Sequence, residues 1–185
     1  MNIYELQADK ALEVQGEFIY VGEEEGKIYV KAASLKKPFI LSQLPPSLHN
    51  QHIEQIAQAR AQKEKEFNEK CATLLKSFES AALGETHIYD MSVEDQLNLL
   101  ASVLAKSDGF LRARKGAEPK ANYAHTKAQL NQVFADSLAH KNAIIYQCGI
   151  LKSHLLELDC VESINALSWE DYERVRTQIE QNATE

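Results

Sequence analysis

Residues 140–158, HKNAIIYQCGILKSHLLEL, carry His140, Tyr146, Cys148 and His154 within fifteen positions. These side chains can serve as nucleophile, general base or metal ligand, so their placement on the element that carries them decides whether any chemistry results. With Leu130 at 0° and about 100° per residue, Val133, Phe134, Leu138, Ile144, Ile145, Leu151, Leu155, Leu156 and Leu158 fall between about 280° and 80°. Cys148 lies at the centre of that arc, where desolvation disfavours a thiolate and cysteine acts as a small hydrophobe. His140 sits at the arc's edge, about 280°, with its ring expected on the core and a nitrogen meeting water or a carbonyl. Chelation on a helix needs ligands three or four residues apart, and His140 and His154 are fourteen apart. Tyr146 points away, near 160°. The four side chains do not converge, and the stretch reads as a core helix. Lys141 and Lys152 fall inside the arc, near 20° and 40°, which is expected of stems that lie on apolar surface while the ammonium reaches water.

A second candidate is the basic run of Arg112, Arg114, Lys115 and Lys120 near Tyr123 and His125, types that neutralise and stack on an anion or a nucleic acid. It stands in a chain with 20 Lys and Arg against 27 Asp and Glu, net −7, a balance that disfavours general nucleic-acid or anionic-membrane binding and favours a protein partner. No tight glycine turn presents a serine or threonine nucleophile, and no glycine-rich phosphate loop comes after an expected strand. The carboxylates of EEEG, EDQ and WED read as a turn and two helix starts. Cys71, Cys148 and Cys160 are too few and too irregular for a disulfide framework or a zinc ribbon, and all three are expected reduced. No cofactor, metal or catalytic residue is expected. A small cytosolic enzyme using His140 or His125 with a carboxylate is the rival reading, and an anion-binding adaptor working through Arg112 and Arg114 is another.

The elements that must position these groups are an N-terminal β unit and a mainly helical remainder. EFIYVG and KIYVKAA flank EEEG, whose Gly22 and Gly26 suit positive φ in a hairpin turn, and PFILS ends at Pro45 and Pro46. A helix is expected from Ser47 to Ala82, closed by Gly84, because Ile53, Ile56, Ala57, Phe67, Cys71, Leu74, Leu75, Phe78 and Ala82 share one arc. Arg60, Lys63 and Glu64 interrupt that arc, so solvent, another chain or a charged partner is expected there. Ser92 and Asp95 have capping spacing before a helix whose Leu97, Leu99, Leu100, Val103 and Leu104 cover so wide an arc that it is expected to be mostly buried. FLRARKGAEPKANYAHT reads as a short β-hairpin, Thr126 and Gln129 open the longest helix with a capping box, and the final EQNATE is expected to fray.

The order DMSVEDQLNLLASVLA, GFLRARKG…NYAHT and AQLNQVFADSLAHKNAIIYQCGILKSHLLELDCVESINALSW resembles the helical domain of unknown function at the C-terminal end of many phage and prophage tail-associated proteins. Thr126, His140, Leu151, Lys152, Ile164 and Trp169 occupy that family's places over about residues 85 to 172, and Leu111 or Ala113 stands where members often carry Trp. The resemblance implies a non-enzymatic tail-fibre or baseplate component, or a tail-fibre assembly chaperone. It would be found in the bacterial host cytoplasm during synthesis and, as a component, in the virion tail.

The fold class expected is α+β, mainly α. It comprises a β-rich docking unit at 1–46, a long exposed helical connector at 47–84, a C-terminal helical domain with a short β-hairpin at 85–175, and a frayed tail at 176–185. The expected partner is another phage tail or tail-fibre protein, with a homo-oligomer through the helical seam as a further expectation, no membrane association, and nucleic acid disfavoured. Arg60, Lys63, Arg112, Arg114 and Tyr123 are the candidate contacts to a partner or an anion.

Overall fold

A computed structural model describes residues 2–8, 18–33, 35 and 40–182. The fold is α+β and mainly α, in two compact units, residues 1–61 and 62–185. The division falls inside the segment expected to be a connector.

In the first unit, β1 (Asn2–Gln7), β2 (Ile19–Glu24), β3 (Lys27–Ala32) and β4 (Ile40–Leu41) form an antiparallel sheet in the order β2-β3-β1-β4. Glu25 and Gly26 turn β2 into β3 with both φ positive, 51° and 73°, the turn whose twist matches a right-twisted hairpin. Gly22 does something other than the expected turn. It lies at a register shift in β2, where an added Cβ would stand 2.8 Å from Leu48 Cδ2, so its missing side chain admits a buried leucine. Tyr4, Leu6, Val30 and Ala32 alternate along their strands and bury on one face. β1 supplies two of those four and was not among the strands expected. Of PFILS, Ile40 and Leu41 form β4, and Pro38 and Phe39 lie outside the described residues.

Helix α1 runs Pro46–Leu74 and stops eight residues short of the expected end. Beyond it the chain extends as a strand, β5 (Ser77–Ser80), paired with β6 (His87–Asp90), and Gly84, with φ 89°, turns this hairpin instead of ending the helix. Phe78 and Ala82 succeed Leu74 at four-residue spacing, which mimics a helix, while the period-two burial of Phe78 and Ser80 spans too few residues to be recognised. The expected hairpin, β7 (Gly109–Arg114) and β8 (Ala121–His125), is present as half of a four-stranded sheet, order β5-β6-β7-β8.

Helices α2 (Val93–Ala105) and α3 (Lys127–Glu157) open with complete capping boxes at Ser92/Asp95 and Thr126/Gln129. Phe78, Tyr89, Met91, Leu99, Ala113 and Val133 make the core between sheet and helices. Further along α3, Leu151 and Leu155 are buried, as are Ile164 of α4 (Val161–Ala166) and Val175 of α5 (Tyr172–Asn182). Each such aliphatic side chain contributes about 1.5–3 kcal/mol through burial. Within the segment expected to fray, α5 continues to Asn182, where Arg176 bridges Glu173 at 2.9 Å and Glu180 at 3.7 Å, and 183–185 lie outside the described residues. Among the described residues no helix is long and apolar enough to cross a membrane.

Candidate functional site

The reactive-looking side chains of α3 each have a packing partner. Cys148 is buried, its Sγ 4.0 Å from the Phe67 carbonyl of α1, and burial pushes its thiol up. His140 donates from Nε2 to the carbonyl of Leu74 at 3.0 Å, satisfying an orphan acceptor at the end of α1. His154 lies 3.4 Å from Glu157, and the exposed Tyr146 packs edge-on to Tyr172. Lys152 reaches Glu64 of α1 at 3.2 Å. Among the described residues no three His, Cys, Asp or Glu side chains are grouped to hold a metal.

The other candidate contacts separate. Lys63, 12% exposed at its side chain, meets Glu66 at 2.8 Å and the Asn165 carbonyl at 3.2 Å, so its charge is satisfied within the chain. Arg60 is half-buried on the part of α1 that belongs to the first unit. Strand register parts the basic hairpin: Leu111 opposite Tyr123 faces the core, whereas Phe110, Arg112 and Arg114 face out. Tyr123 packs edge-on to His87, centroids 4.6 Å apart, and is not beside the arginines. Lys115 is paired with Glu85 at 2.7 Å and Lys120 with Asp90 at 2.7 Å, whereas the exposed Arg112 and Arg114 meet no carboxylate among the described residues. His125 meets no carboxylate among the described residues. Its Nδ1 lies 2.8 Å from the Tyr123 carbonyl and its Nε2 2.8 Å from the Tyr89 hydroxyl.

The feature that sequence reasoning missed lies on α2. The wide leucine arc was expected to be mostly buried, yet Leu99 is its one fully buried member: Leu97 is 60% exposed and Leu104 68%, and Val93 at the start of the same helix is 75% exposed. Sheet and α3 cover one side of a single-layer helix, so an arc wider than that side must leave leucines in water. Between α2 and α3 runs a groove of about 480 Å³, lined by Met91, Val93, Leu97, Leu99, Leu100, Phe134 and Leu138, with Gln96, Ser137 and Lys141 among them. On the other side of α2 a polar groove of similar volume is lined in part by Asp95, Asn98, Ser102, Arg112 and Asn122.

No protein-family model, curated protein or solved structure matches this chain. The groove's chemistry therefore stands on its own residues. It offers no cluster of convergent titratable groups, and it offers a contiguous apolar surface.

Proposed function

We propose that this protein is a non-enzymatic attachment protein that acts by docking another protein on the α2–α3 groove. The observation that carries the reading is the row of exposed Val93, Leu97 and Leu100 facing Leu138 across that groove. The chain keeps these side chains in water although their burial would contribute about 25 cal/mol per Å², a cost that a partner's apolar surface removes. The resemblance of residues 85–172 to tail-associated phage domains supplies the context: a tail-fibre or baseplate component, made in the bacterial cytoplasm.

The test is co-purification of the full chain with the product of the neighbouring fibre gene. Leu97→Asp and Leu138→Asp should abolish it, and Leu156→Asp, at an exposed leucine outside the groove, should not. Equal capture by all four proteins would move the interface elsewhere. Presence of the chain in purified virions supports the tail component, and its absence supports the assembly chaperone.

A further inference from the structure

Resting on the attachment reading above, we infer that the occupant of the α2–α3 groove is an amphipathic helix of a different protein, carrying a carboxylate that pairs with Lys141. Shape argues for a helix. The walls are two helices packed side by side, whose ridges leave a channel that a third helix fills. The lining spans residues 93–100 of α2 and 134–141 of α3, about 12 Å each at 1.5 Å per residue, enough to support about two turns of a partner.

Charge argues for the carboxylate. Among the described residues Lys141 is the single charged one lining the groove, and its close polar neighbour is Gln96 Oε1 at 3.4 Å. Half of the lysines of the same unit meet a carboxylate, as Lys63 does Glu66, Lys115 Glu85, Lys120 Asp90 and Lys152 Glu64, whereas Lys141 is one that meets none among the described residues and alone lines an apolar groove. Covering the groove takes water from around the Lys141 ammonium, and an opposite charge on the occupant offsets that loss. A second copy laid on the groove about a two-fold axis brings the same patch to itself, and the patch holds Lys141 and no Asp or Glu. The charge pattern thus favours a different, acidic partner over self-association.

The probe is a synthetic amphipathic peptide of about 18 residues with leucines at i, i+3, i+4 and i+7 and one Glu beside the leucine stripe, together with a twin carrying Gln there. Each is titrated into the full chain by fluorescence anisotropy at low salt. The Glu peptide should bind about tenfold more tightly than the twin, Lys141→Met should erase that preference, and Lys141→Arg should retain it. Leu97→Asp should lose both peptides while keeping its circular dichroism. Equal affinity for the two peptides, failure of both to bind, or a preference that survives Lys141→Met overturns the proposal. So does sedimentation that shows a dimer of the full chain abolished by Leu97→Asp. Equal peptide affinities combined with loss of fibre-protein co-purification in Leu97→Asp would remove the carboxylate and leave the attachment reading in place.

Discussion

The hydroxyl of Tyr89 on β6 donates to Nε2 of His125 on β8 at 2.8 Å, joining two strands that are separated by β7. The other ring nitrogen fixes the direction of this bond. Nδ1 lies 2.8 Å from the Tyr123 carbonyl, an atom that only accepts, so Nδ1 holds the proton and Nε2 is left as the acceptor. Both partners are neutral and both are closed off from water, at 3% and 2% exposure. Burial holds the His125 pKa below the usual histidine range and pushes Tyr89 up to about 12.

Acid should destabilise the second unit through His125. Its folded pKa is lower than its unfolded one, so the unfolded state binds the proton more readily. The contribution is complete above the unfolded value of about 6.5 and is lost as pH falls through the folded value. Urea midpoints at pH 8 and pH 5 should differ more for the wild type than for His125→Gln, which has nothing to titrate there. Equal differences would remove this histidine from the acid limb.

At the alkaline end, Tyr89 should ionise above the usual tyrosine range. An ultraviolet phenolate titration should show a step near pH 12 that Tyr89→Phe removes. Because its folded pKa is raised, its contribution is present below pH 10 and declines between 10 and about 12. The same substitution at neutral pH leaves a buried acceptor unpaired and should cost about 1–3 kcal/mol in chemical denaturation.

Thiol reactivity should sort by burial. Cys148 and Cys160 are enclosed and Cys71 is half-buried, so a disulfide reagent should label one thiol of the native chain quickly and all three after unfolding. Cys148→Ser should leave the fast phase intact. Rapid native labelling of Cys148 would mean that α3 does not pack on α1 as described.

Gly22→Ala should destabilise the first unit by about 1–3 kcal/mol, because the new methyl meets Leu48 Cδ2 at 2.8 Å and the leucine must shift. In a Leu48→Ala background the same substitution should cost much less. That non-additivity, read from a double-mutant cycle, is the expected signature of direct contact.

Leucines of the groove and of the core should part company. Leu97→Asp and Leu138→Asp, at 60% and 48% exposure, should change stability by about 0.5 kcal/mol or less. Leu130→Ala and Leu151→Ala, both almost fully enclosed, should cost about 2–5 kcal/mol each by denaturant titration.

Sequence by itself determined the features whose cause is local. The two capping boxes were legible because Ser92/Asp95 and Thr126/Gln129 bond across three residues whatever the rest of the fold does. The β2–β3 hairpin and the packing roles of Cys148 and His140 were legible for similar reasons, a turn glycine in one case and one long helical period in the other. Tertiary structure decided what depends on distant neighbours. Ser77–Ser80 became a strand because His87–Asp90 was there to pair with it, and four residues carry too little periodicity to announce that. The inward turn of Tyr123, away from Arg112 and Arg114, was set by cross-strand register, which the sequence of one strand does not hold. The leucines of α2 show the limit most plainly. Composition says that Leu97, Leu99, Leu100 and Leu104 avoid water, but only the number of layers packed around the helix says which are granted burial, and here the answer was Leu99.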